Sequence, residues 1–356
     1  MKSHDDSSPE ETGRGPDAIN IPDHALHSGI EEYSQAEQDA ILWMFAYARS
    51  DLDNSRERLC TALGCDWTTV MRIASGKYSA SLDGFIKLIA DLRAREQTTV
   101  NSSFVETVVT RKIHETLDYA VAGDNEGGHM VMICGGARRG KSRSVLQWCR
   151  QDSNRARAVY IDCPESGGLH EFKVEIAKAI GVSRKKYGHD LRSRIFRSFS
   201  RRRILIVDEI FRAVPSPRSQ CRPLILEFIR RLHDVTHCAV ALVATPVFKH
   251  ELEAGPMQDY MEQLLGRISD PLVIPRSVLR SEVAEICKGF APDPSPELVT
   301  IATEIANVPG KLKVLFELLG HAAKLARKKG APVDHAMLKA AWERRKNRVK
   351  WPEEKE

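Results

Sequence analysis

Apolar residues follow two rhythms along this chain, and the change from one to the other marks its domains. Across residues 35–96 they recur at helical spacing with short polar breaks, the pattern of amphipathic helices packed on one another. The breaks predict four helices, at about residues 35–50, 54–62, 66–74 and 82–95. Gly64 supplies a stop for the second, Asp66 or Thr68 a cap for the third, and Gly76 closes the third. From Met130 the rhythm changes to short, largely apolar runs, at residues 130–134, 156–162, 204–207 and 238–245, with helical stretches between them. Strands alternating with helices predict a mostly parallel sheet covered on both faces. After Ser277 the spacing is helical again to the C-terminus, as expected of a separate helical lid.

The first apolar run leads straight into Gly135, Gly136, Ala137, Arg138, Arg139, Gly140, Lys141, Ser142 and Arg143. A strand followed by G-x-x-x-x-G-K-S at the start of a helix is a phosphate-binding loop. Its glycines let backbone N–H groups turn around phosphate oxygens, Lys141 reaches the β- and γ-phosphates of ATP, and the Ser142 hydroxyl faces Mg²⁺. The helix that follows adds its positive N-terminal dipole. The run at residues 204–207 ends in Asp208 and Glu209, which places two carboxylates at the C-terminal edge of a buried strand, where ligands of parallel sheets sit. Asp208 is the candidate Mg²⁺ ligand, and Glu209 the candidate base that polarises an attacking water. Thr245 ends the next strand, either beside the γ-phosphate or as a cap for the helix after Pro246. Arg267 lies between a helix and the last strand, as an arginine finger for a neighbouring subunit or as a surface ion pair. Lys311 and Lys313 begin a lid helix after Gly310, from which lysines could touch phosphate.

Residues 59–78 carry a second pattern: small Ala62, Gly64 in a turn, and apolar Val70 and Ile73 on an inner face. This resembles the helix-turn-helix of phage-repressor-like domains, and it would turn Asp66, Trp67, Thr68, Thr69, Met71 and Arg72 toward a DNA major groove, with Lys77 and Tyr78 near a phosphate. A helical bundle used for protein contacts is the alternative.

Charge sharpens this picture. The net charge is only +5, but residues 184–203 hold nine Lys/Arg against Asp190, and residues 321–351 hold ten against Asp334 and Glu343. Two basic clusters flanking an ATP site favour a polyanion such as double-stranded DNA over solvated helix faces. Lys173, Arg184, Lys185 and Lys186, with the loop at residues 165–170, are candidate contacts to the DNA backbone. Residues 1–33 are acidic and rich in Ser, Pro and Gly, and are expected to form a disordered tail. The eight cysteines show no C-x-x-C spacing, which points to reduced thiols in a cytoplasmic protein without zinc. No apolar run approaches a membrane span, so no membrane is expected as a partner.

Taken together, the phosphate loop, VDEIFRA at residues 207–213, the run through VALVATP ending at Pro246, and FVET at residues 104–107 resemble the AAA+ ATPases over about residues 104–345. Within them the resemblance is to the transposition-regulator group of the phage Mu target-selection protein B and the TniB/TnsC regulators. It implies an α/β fold: a three-layer parallel-sheet P-loop ATPase with a C-terminal helical lid, beside a small all-α helix-turn-helix domain. The implied boundaries are 1–33 tail, 34–97 helix-turn-helix domain, 98–276 ATPase core, 277–348 lid and 349–356 charged tail. The implied activity is slow, Mg²⁺-dependent, DNA-stimulated ATP hydrolysis by a homo-oligomeric ring or filament that coats target DNA, recruits a transposase and disassembles on hydrolysis. The alternative is a nucleotide-switched regulator of transcription or replication initiation. Two features depart from the family: Arg138 and Arg139 put charge inside the loop, expected to face solvent or DNA, and PGKLK at residues 309–313 stands where many members carry an arginine.

Overall fold

The computed structural model describes residues 17–52, 54–101, 104–123, 127–165, 168–181, 191–214, 223–254, 258–308 and 311–349. By compactness the chain divides into two units, Met1–Thr99 with Lys173–Ser198, and Val100–Phe172 with Phe199–Glu356.

The first unit begins with five helices: α1 (Asp23–Gly29), α2 (Gln35–Asp51), α3 (Arg56–Leu63), α4 (Trp67–Ala74) and α5 (Asp83–Asn101). Local chemistry sets their ends. Ser34 and Glu37 form a capping box on α2, Asp66 accepts from the Thr69 N–H at 2.9 Å to cap α4, and Gly64 closes α3 in the left-handed region at φ 72°. Ile41, Phe45, Leu59, Val70 and Ile73 are fully buried at the centre. Residues 17–33, expected to belong to a disordered tail, are part of this unit instead, and residues 1–16 lie outside the described residues. Ile19, Ile21, Leu26 and Ile30 are buried in this core, and Asp23 pairs with Arg49. Asp17 bonds Ser55 and the Glu57 N–H, which fastens the entering chain to the start of α3.

The second unit is built on a sheet. In chain order come α6 (Val108–Ala122), β1 (Met130–Gly135), α7 (Lys141–Arg150), α8 (Asp152–Arg155), β2 (Ala158–Asp162), α9 (Leu169–Ala179), α10 (Leu191–Ser198), β3 (Ile204–Asp208), α11 (Leu224–Thr236), β4 (Ala239–Ala244), α12 (Pro246–Ala254), α13 (Gln258–Leu265) and β5 (Ile268–Ile274). Of these, α10 belongs to the first unit and α9 straddles the division, so the segment expected to lie wholly in the ATPase core is shared. The strands are all parallel, in the order β2-β3-β4-β1-β5. Every residue of β1, β3 and β4 is buried, which explains their unbroken apolar runs: both faces are covered. On one face Val131, Ile133, Ile206 and Ala241 meet Ile113 and Leu117 of α6 and Val145 and Trp148 of α7. The alternate residues are buried on the other face, where α11 and α12 pack on β4. This is the three-layer arrangement expected.

Four more helices follow: α14 (Arg280–Lys288), α15 (Pro296–Ala306), α16 (Lys311–Lys329) and α17 (His335–Val349). They enclose a core of their own, in which Ile286, Ala302, Ile305, Leu315, Leu319 and Leu338 are fully buried. Among the described residues, no helix is long and apolar enough to cross a membrane.

Candidate nucleotide-binding site

The end of β1 and the start of α7 set the geometry. Gly135 sits against β5, where an added Cβ would meet the Ile274 side chain at 2.9 Å. Two residues of the loop have left-handed backbone, Arg138 at φ 60° and Gly140 at φ 83°. Such turns aim successive N–H groups into a concavity that suits an anion. A non-glycine residue in this region costs about 1–2 kcal/mol, and Glu209 at φ 50° carries the same strain. Two of the four described non-glycine residues at positive φ thus belong to this site, as expected where function rather than stability sets the backbone.

Lys141 opens α7 with its side chain folded onto the loop: Nζ donates to the Gly135 carbonyl at 2.7 Å and the Gly136 carbonyl at 3.1 Å. Burial lowers its pKa, and the nearby Asp208 and Glu209 partly offset that. Ser142 is half-buried on the same turn, Ala137 and Arg138 are exposed, and Arg143 is exposed with its guanidinium between the Phe104 and Phe316 rings, 5.8 and 5.3 Å from their centroids. Arg139 differs from expectation. It faces neither solvent nor an open groove, being 1% exposed and paired with Glu282 of α14. The partner lies far along the chain, so no local pattern announced it.

The carboxylates emerge two strands away, at the end of β3. Asp208 is buried and accepts from the Tyr160 hydroxyl and from the Glu209 N–H, both at 2.8 Å. Glu209 is half-buried, and its pKa is raised, first by burial and then by Asp208, against the pull of Lys141 and Arg212. Arg212, on the turn after Glu209, donates to the Cys163 carbonyl at 2.8 Å and lies 3.3 Å from Asp162, joining the ends of β2 and β3. The Asp162 pKa is raised by burial and lowered in part by Arg212. Tyr160 and Arg212 were not singled out from the sequence. The available signal for Tyr160 was a hydroxyl-bearing aromatic inside an otherwise apolar strand.

Thr245 is half-buried at the end of β4, and its carbonyl accepts from the N–H groups of Phe248 and Lys249 at the start of α12. The first turn of α16 lies on the phosphate loop, with Leu312 Cδ1 at 3.9 Å from where a Gly140 Cβ would be. Lys313 on that turn is exposed, the Lys311 side chain lies outside the described residues, and so does Gly310. Phe104, Val105, Thr107, Gly140, Leu312 and Phe316 line a narrow crevice beside the loop. Arg267 is elsewhere. β1 pairs with β5 from Met130 opposite Ile268 to Gly135 opposite Ile274, with one shift of register after Met130, so Arg267 stands at the far end of the sheet, about 20 Å from the loop at ~3.3 Å per residue. Its Nε donates to Asp234 at 3.0 Å and Nη1 to the Gln263 carbonyl at 3.2 Å.

In the first unit, Thr68, Arg72 and Lys77 are exposed and Thr69 is half-buried along α4 and the turn after it. Trp67, expected to face outward, is half-buried against the core beneath the Arg56 guanidinium, 5.8 Å from its ring centroid. Lys173 is half-buried on α9, and Arg184, Lys185 and Lys186 lie outside the described residues.

A glycine loop after the first buried strand, a lysine and a serine opening the next helix, and an acidic pair ending a neighbouring strand define a P-loop nucleotide-binding α/β domain. Ser142 and Asp208 fit Mg²⁺, since the buried Asp208 keeps lone pairs beyond its two hydrogen bonds. Residues 124–252, from the approach to β1 into α12, match the family described as AAA domain. No curated protein matches the chain. Similar solved structures include Cdc6p from Pyrobaculum aerophilum, at 15% identity and a TM-score of 0.47 over 64% of this chain and 65% of that one. The chain thus spans just under two thirds of that protein. Domain III of the Thermotoga maritima replication initiation protein DnaA is 14% identical at a TM-score of 0.44, over 68% of this chain and 95% of that one. The Thermotoga maritima RuvB Holliday junction branch migration motor is 14% identical at 0.41, over 66% and 67%.

The hydroxyl of Tyr160 fixes one oxygen of Asp208, and partners of this kind tune metal sites. Tyr160→Phe is expected to raise the Mg²⁺ concentration needed for half-maximal ATP turnover by about tenfold while ATP affinity stays near wild type. A magnesium titration of turnover checks this.

Proposed function

We propose that this protein is a Mg²⁺-dependent ATPase that assembles on double-stranded DNA, with ATP as the signal for assembly and hydrolysis as the signal for release. The observation that carries this is the meeting of Lys141, Asp208 and Glu209 around the phosphate loop. Lys141 and the loop N–H groups bind the phosphates, Ser142 and Asp208 hold Mg²⁺, and Glu209 takes a proton from the attacking water. Bound Mg²⁺ would neutralise charge on the β- and γ-phosphate oxygens. Thr245 and Lys311 or Lys313 are the candidate sensors of the γ-phosphate.

Arg267 is the candidate arginine finger of such an assembly. Because it stands at the opposite end of the sheet from its own loop, any part it plays in catalysis is in the site of a neighbouring copy, as arginine fingers act. Support for DNA comes from the first unit, where two short helices, α3 and α4, are joined by the Gly64 turn as in the helix-turn-helix that the sequence resembles, and Thr68, Thr69, Arg72 and Lys77 of α4 and the turn after it are the candidate contacts. Lys173 and the basic segment around Arg184, Lys185 and Lys186 add candidate backbone contacts, whose binding weakens steeply with salt. The narrower role, recruiting and activating a transposase at target DNA, rests on the sequence resemblance alone.

The test is electron microscopy of the full chain with long duplex DNA in the presence of ATP or ADP. Continuous coats or rings with ATP, and bare DNA with ADP, are expected. A short footprint at one sequence, indifferent to DNA length, would instead mark a regulator of transcription or replication initiation.

A further inference from the structure

The two arginines of the phosphate loop have opposite surroundings. Arg138 is exposed, whereas Arg139, immediately before Gly140 and Lys141, has a side chain fully removed from solvent. Its Nη2 donates to Glu282 Oε2 at 2.9 Å and its Nε to the Pro275 carbonyl at 3.1 Å. Glu282, in the first turn of α14, is 1% exposed. Among the described residues, Arg139 Nη1 and Glu282 Oε1 have no hydrogen-bond partner. One turn along α14, Glu285 accepts from the Val108 N–H at 2.8 Å and from Arg111 Nη2 at 2.6 Å, at the start of α6. Two carboxylates therefore tie α14 to the sheet domain, and one of them grips the phosphate loop itself.

We propose that Arg139 and Glu282 are a positioning pair, a buried joint through which the shape of the phosphate loop and the placement of α14 are set together, so that nucleotide affinity depends on both. This rests on the nucleotide-binding role of the loop; neither side chain has to touch the nucleotide. The physics favours a joint over a stabilising bond. A buried ion pair gains little over a well-packed apolar pair, and here two polar atoms stay unsatisfied besides, yet separating the partners strands two charges in a poor solvent. The planar guanidinium also bonds in two directions at once, so the loop, the end of β5 and the start of α14 meet at a single side chain.

The test is a double-mutant cycle in the full chain: Arg139→Met, Glu282→Leu and both together, each roughly volume-conserving. ATP affinity is measured by calorimetry below the unfolding temperature of each variant, with thermal unfolding recorded without nucleotide. Each single variant is expected to bind ATP about tenfold more weakly, and the double variant no more weakly than either, because the second change breaks a joint already broken. The double variant should unfold close to wild type, because no charge is left stranded, so its weak binding cannot be laid to misfolding. Folded variants that bind within about twofold of wild type, with only their unfolding temperatures lowered, would make the pair structural and overturn the proposal. Effects that multiply in the double variant overturn it as well, since the residues would then act separately. A wild-type protein that binds no ATP would instead bring down the nucleotide-binding role, and the proposal with it.

Discussion

Lys141→Ala is expected to weaken ATP binding by about 100-fold and to abolish turnover, because a charge-assisted contact to phosphate is worth about 1.5–3 kcal/mol and this amine is the cation folded onto the loop's own carbonyls. The variant should still fold. What it loses in the nucleotide-free protein is two hydrogen bonds, to the Gly135 and Gly136 carbonyls. On the proposed reading the amine, held by its own backbone in the nucleotide-free protein, would exchange those carbonyls for phosphate oxygens. Calorimetric titration with MgATP, together with a thermal unfolding curve, checks both halves. Near wild-type affinity would remove Lys141, and the loop with it, from the nucleotide site.

Glu209→Gln should separate binding from chemistry. The amide keeps the shape of the carboxylate but cannot accept the proton, so ATP affinity should hold while turnover falls by about 10²–10⁴-fold. The pH profile adds a sharper signature. Burial and the neighbouring Asp208 disfavour the charged form of Glu209 and raise its pKa above the ordinary glutamate value. A base works only when deprotonated, so wild-type turnover should fall as pH drops through that raised pKa, earlier than an exposed glutamate would allow. The residual activity of the variant should lack this acid limb. Turnover that survives the substitution unchanged would move the base to another residue.

The sheet domain was legible from sequence because its signals are short-range. Each central strand is buried on both faces and so reads as an unbroken apolar run, and the phosphate loop follows β1 without a gap. The first helices were legible for the same reason, with Asp66 and Gly64 at the ends of α4 and α3. What escaped depended on residues distant in the chain. Arg139 looked like solvent-facing charge because its partner, Glu282, is 143 residues away. Tyr160 gains its meaning from β3 lying beside β2. The stretch around α1 was lost to its composition: acidic, Ser-, Pro- and Gly-rich neighbours hid four apolar residues that pack into the first core. Trp67 sat on the expected outward side of its helix, yet an aromatic of that size gains more by lying half on the core.

The distance between Arg267 and its own phosphate loop has a kinetic consequence. If each copy completes the site of the next, an open row of subunits is directional, and the last copy at one end holds ATP that no arginine reaches. Turnover per subunit would then climb with the length of the row and level off, and the spared end would persist while the rest decays. A closed ring would have no such end, and its subunits would hydrolyse alike.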